Sequence, residues 1–70
     1  MAGLKKRSVS LSGHSTSIAL EPEFWAALEA MAAQSGETLA ALVVRLDGER
    51  GERPLASACR VAALAWAQRG

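Results

Sequence analysis

The chain has 70 residues, a formal net charge of +1, one cysteine, one histidine and no tyrosine. A domain of this length buries only about 60% of its unfolded surface, which excludes two domains and leaves a lone chain marginal. A single cysteine excludes an internal disulfide and, with His14 as the single histidine, a metal centre built from the Cys and His of one chain.

Half of the residues are apolar, which argues against disorder, yet 15 are Ala and 9 are Leu, with only Phe24, Trp25 and Trp66 as aromatics. Small side chains make thin cores, so a partner subunit is the expected source of the missing buried area. No apolar run approaches the roughly 20 residues that span a bilayer. The N-terminal segment is basic without a continuous hydrophobic stretch, unlike a signal peptide. A bacterial-type cytoplasmic protein with no membrane partner is expected. Charge is unevenly spread. Residues 1–20 carry Lys5, Lys6 and Arg7 and no acid, whereas residues 21–34 carry Glu21, Glu23 and Glu29 and no base. A basic end on a near-neutral body points to an anionic partner there.

In chain order, residues 1–7 read as a basic arm. Val9 and Leu11 then alternate with Ser8, Ser10 and Ser12, while Thr16, Ile18 and Leu20 alternate with Ser15, Ser17 and Ala19. Period two with β-branched residues predicts strand. The apolar positions switch from odd to even, so a bulge, a break or a turn is required at Gly13. Pro22 suits a first helical position, and Phe24, Leu28 and Met31, widened by Trp25 and Ala32, form a helical stripe. Gly36 is placed to end that helix, and Thr38 to cap the next. Leu39, Leu42, Val43 and Leu46 share a face of the second helix, which Gly48 and the charged run to Arg53 should end. After Pro54, Leu55, Cys59, Ala62 and Trp66 mark a third helix, with Val61 and Leu64 beside the stripe. The expected organisation is an arm at 1–7, a core at 8–53 and a C-terminal helix at 54–70.

Catalysis has little support. His14 lies in a polar segment with no acid nearer than Glu21, no glycine-rich phosphate loop exists, and the acids are spread along helix faces. No enzyme activity, no cofactor and no small-molecule substrate are expected.

The strand ending Ile18-Ala19-Leu20, the run Glu21-Pro22-Glu23-Phe24-Trp25, the stop at Gly36 and the cap at Thr38 together resemble the ribbon-helix-helix family, the Arc/MetJ-type dimeric DNA-binding proteins. The stretch KRSVSLSGHSTSIALEPE resembles a small bacterial subgroup of it. The resemblance implies a mostly α fold with a short β-ribbon, a ribbon-helix-helix dimer with an added C-terminal helix. A strand of about six residues cannot persist alone, and pairing with its twin about a two-fold axis gives an antiparallel ribbon. Ile18, Leu20, Phe24, Leu28, Leu42, Val43 and Leu46 would form the shared dimer core. The implied function is a homodimeric transcriptional regulator of double-stranded DNA, able to assemble further on it. Ser15, Ser17 and Ala19 would meet base edges in the major groove. The Thr38 hydroxyl and the amides of Leu39 and Ala40 would hold a phosphate. Serine reads bases ambiguously and alanine offers only contact with a thymine methyl, so affinity should come mainly from phosphates. Two arms of Lys5, Lys6 and Arg7 would give a log–log salt slope of roughly −4 to −6.

Residues 7–14 leave two forms open. In one they are a bulged or disordered arm. In the other, Gly13-His14 form a hairpin turn that sets Leu11 opposite Thr16 and Val9 opposite Ile18. A dimer would then carry a four-stranded sheet, wider than the roughly 12 Å major groove. The alternative function is a dimeric protein-interaction or assembly module with the same fold.

Overall fold

A hairpin resolves the change of parity at Gly13. The structure, a computed structural model, describes residues 3–11 and 13–69. Met1, Ala2, Ser12 and Gly70, which fall in the expected arm, ribbon segment and C-terminal helix, lie outside the described residues. Strand β1 (Lys5–Leu11) runs antiparallel to β2 (His14–Leu20), with Val9 opposite Thr16 and Leu11 opposite His14. The strands are joined through residues 12 and 13, and Gly13 has a φ of 94°, a backbone that a side chain would strain.

The hairpin corrects three expectations. The described residues of the segment, 7–11 and 13–14, form neither a bulged nor a disordered arm. The turn lies one residue earlier than Gly13-His14, which adds the Leu11–His14 pair to the ladder and shifts each partner by two residues along β2. A shift of two preserves the faces, so Val9, Leu11, Ile18 and Leu20 are still buried on one side. The last three residues of the arm expected at 1–7, Lys5, Lys6 and Arg7, belong to β1. Two contacts pin its start. Trp25 Nε1 donates to the Lys5 carbonyl at 2.7 Å, and the Arg7 guanidinium pairs with Glu29 at 3.0 Å.

Helix α1 (Pro22–Ser35) begins with Pro at its first position, and the Glu21 carbonyl accepts from the amides of Phe24 and Trp25. It ends at Gly36, whose φ of 71° lets its amide and that of Glu37 return to carbonyls of the last turn. The buried line is Trp25, Leu28 and Ala32, with Phe24 and Met31 half-buried, so the stripe is rotated towards Trp25. Helix α2 (Leu39–Glu49) is capped by Thr38 and buries Leu42, Val43 and Leu46 as the spacing predicts. It runs through Gly48 rather than stopping there. The turn that follows is held by Arg50, which bonds Asp47 and the Arg53 carbonyl. Helix α3 (Leu55–Gln68) buries Ala58, Cys59 and Ala63, while Leu55, Ala62 and Trp66 are half-buried. Arg60 ties it to Glu21 at 3.0 Å, and Trp66 Nε1 donates to Gln34 at 2.8 Å.

The three helices lie on the apolar face of the hairpin, and one chain alone closes over its core. Ile18, Leu20, Leu28, Leu42, Val43 and Leu46 are buried without a second copy, and Phe24 is half-buried. The expected set thus lines the core of the single chain, to which β1, α1 and α3 add Val9, Leu11, Trp25, Cys59 and Ala63. The second strand of the hairpin and α3 supply the cover that the thin helices lack.

Cys59 shows the closure in chemical form. It is fully buried, and burial pushes its thiol pKa up, with Arg60 opposing in part. A thiol reagent needs the thiolate and access to it. The native protein should therefore react with an aromatic disulfide far more slowly than the urea-unfolded chain. Equal rates would show that α3 opens freely.

Candidate nucleic-acid interface

The face of the hairpin turned away from the helices carries Lys6, Ser8 and Ser10 from β1 and Ser15, Ser17 and Ala19 from β2. Across the strands, Lys6 stands opposite Ala19, Ser8 opposite Ser17 and Ser10 opposite Ser15. Alternation forces this set outward once Val9, Leu11, Ile18 and Leu20 face the core. The residues expected to face outward, Ser15, Ser17 and Ala19, do share that face. Ser8 and Ser10 belong there too, although only β2 was singled out from the sequence. Their parity, opposite to that of Val9 and Leu11, was the available signal.

The second expected element is also in reach. The Thr38 hydroxyl accepts from the Ala41 amide at 3.0 Å, and the Thr38 carbonyl accepts the first helical bond, from Leu42. The amides of Leu39 and Ala40 precede that bond, so helix geometry gives them no partner within α2. They border a shallow recess of about 310 Å³ lined by Arg7, Ser8, Val9, Ser10, Leu39 and Ala40. The start of α2 thus sits beside β1 rather than β2. Glu37, whose charge would oppose an anion there, is paired with Arg45 at 2.6 Å. That bond raises the pKa of Arg45 and keeps the two charges balanced.

The basic residues divide. Lys6 lies on the outward face and Lys5 is exposed at the end of β1. Arg7 is turned inward, with its guanidinium 4.8 Å from the centre of the Trp25 ring and paired with Glu29. An arginine stacked on an aromatic and bonded to a carboxylate serves the fold. Of the three basic residues expected to meet phosphates, Arg7 is thus the one engaged within the chain. The described residues hold no group of three or more His, Cys, Asp or Glu able to bind a metal, and none of their helices is long and apolar enough to cross a membrane.

No similar curated protein and no similar solved structure is found for this chain. A family model described as a ribbon-helix-helix domain matches residues 4–67, from the strand before the turn to the end of the third helix. With a β-ribbon laid on helices, a glycine stop and a threonine-capped second helix over that same span, the chain belongs to the ribbon-helix-helix domain family.

Proposed function

We propose that the protein is a homodimeric DNA-binding regulator that places its ribbon in the major groove and draws its affinity mainly from phosphates. The observation that supports this is the outward face itself. Each chain presents a ready-made two-stranded antiparallel ribbon, seven residues per strand, with the free amides of α2 beside it. A two-stranded ribbon suits the width of the major groove, and a helix start suits a phosphate. If the β2 edges of two copies paired, the resulting four-stranded sheet would be too wide. The reading therefore keeps those edges unpaired in the complex.

With Arg7 engaged in the fold, Lys5 and Lys6 are the cations left to each chain at this end. Two chains then neutralise about four phosphates, for an expected log–log salt slope of about −3 to −4. Fluorescence anisotropy on a labelled random-sequence duplex at several salt concentrations should give that slope. Replacing Lys5 and Lys6 with Ala should weaken binding to every sequence alike. Ser17→Ala should alter preference only slightly, and Ser15→Arg should tighten binding and sharpen selectivity by adding a fork for guanine.

A second reading has one observation in its favour. The outward face carries four serines, an alanine and a single cation, Lys6, among the described residues. Such a flat, nearly neutral surface also suits a protein-interaction module. Absence of binding at low salt by a folded protein would decide for it.

A further inference from the structure

Trp66 is the largest side chain of α3, yet it stands outside the core. Leu55 and Ala62 of the same stripe pack on the buried cluster, and Trp66 does not. Its ring is held in place all the same. Nε1 donates to the Gln34 side chain at 2.8 Å, which links the last turn of α3 to the last turn of α1. The half-buried indole borders an open cavity of about 600 Å³, together with Gln34, Ala67 and Arg69. A large ring fixed at the surface, away from the core, calls for another role.

The walls of the cavity differ in chemistry. The indole is a flat, electron-rich surface on which a planar ring stacks. Arg69 follows Trp66 by three residues with a helical backbone, a spacing that sets two side chains on one face. Among the described residues its guanidinium makes no ion pair, whereas Arg7, Arg45, Arg50 and Arg60 are each held by a carboxylate. Gln34 has its oxygen taken by the indole and still has amide N–H groups to donate. Carbonyls at the end of α1 would repel an anion, but those of Ala32 and Ala33 are occupied by the amides of Glu37 and Gly36. Arg69 is thus the one formal charge on the cavity wall. The volume suits a ligand of one or two rings.

We propose that this cavity binds a planar aromatic ligand bearing an anionic group, as a nucleoside monophosphate or an aromatic carboxylate does. The ring lies on Trp66, the anion meets Arg69, and the Gln34 amide donates to an acceptor between them. None of the four lining side chains is a nucleophile or a general base, so the ligand is held and not turned over. No ribbon residue lines the cavity, and the inference stands apart from DNA binding.

The test titrates the full chain with adenosine monophosphate and with naphthoate, and follows the two indole N–H signals by proton–nitrogen NMR. Trp66→Phe removes one signal and so assigns both. At least one probe should shift the Trp66 signal and leave that of Trp25, which is bonded to the Lys5 carbonyl, in place. Arg69→Gln should weaken binding about tenfold or more, because a charge-assisted hydrogen bond is lost. Trp66→Phe keeps a ring and should bind only a few-fold more weakly, read by calorimetry, whereas Trp66→Leu should not bind. If Trp66→Leu does not fold, the Phe and Arg69→Gln variants still decide. Naphthalenemethanol has the ring without the charge and acetate the charge without the ring, so each should bind about tenfold more weakly than naphthoate, or less well still. A response to the nucleotide alone assigns the site to nucleotides, and one to naphthoate alone assigns it to aromatic carboxylates. The proposal is overturned if neither probe moves the Trp66 signal at millimolar concentration. It is equally overturned if Arg69→Gln binds as the parent does, or if the uncharged alcohol binds as well as naphthoate.

Discussion

Ile18→Lys leaves no folded protein. Ile18 is 4% exposed, sits in the central apolar row of the hairpin, and faces Arg7 directly across the strands. The substitution removes a buried aliphatic side chain and puts a cation where water is excluded and no carboxylate is free. It also sets that cation opposite another, a cross-strand arrangement that is unfavourable by itself. A buried, unpaired charge costs several kcal/mol, and a 70-residue domain holds about 4–10 kcal/mol in total. Circular dichroism should show no cooperative transition in urea. Ile18→Val is the control, expected to cost about 0.5–1.5 kcal/mol and to stay folded. A cooperative Ile18→Lys protein with the parental midpoint would show that the ribbon's inner face is not a core.

Removal of residues 55–70 should have an effect of the same order. Helix α3 packs on α1, α2 and β2, and supplies the buried side chains of Ala58, Cys59 and Ala63. Without it the single chain loses its cover over Leu20, Leu28 and Leu42, together with the Arg60–Glu21 and Trp66–Gln34 links. Each of those leucines is fully buried, and truncating even one such side chain costs about 2–5 kcal/mol. The shortened protein should bind a hydrophobic dye and melt without a clear transition. An unchanged melting temperature would make α3 an appendage.

The helical part of the fold was legible because its signals are local. Pro22, Gly36 and Thr38 each act on their own neighbourhood, and each stands where its backbone chemistry requires. The hairpin was legible only in outline. Alternation identifies faces, and a register shift of two leaves every face unchanged, so a turn at residues 12 and 13 cannot be told from one at 13 and 14 by pattern alone. The role of Arg7 was missed because charge was weighed above parity. It has the same parity as Val9 and Leu11, which puts it on the inner side of β1, within reach of Trp25 and Glu29. Ser8 and Ser10 could be placed on the outward face only once β1 was known to lie beside β2. The spacing of Leu28, Leu42, Val43 and Leu46 marks them as inward-facing, and all are buried, but tertiary neighbours leave no periodic trace in a sequence.

The hairpin also bears on how the protein comes into being. A ribbon assembled from strands of two molecules cannot form until those molecules collide, so its rate depends on their concentration. Here both strands lie within 16 consecutive residues, joined by a connection of two. Closing so short a loop is fast, and hairpins of this kind form in about 1–10 μs. The contacts that fix the sheet are thus available to a single chain, even a newly made and dilute one.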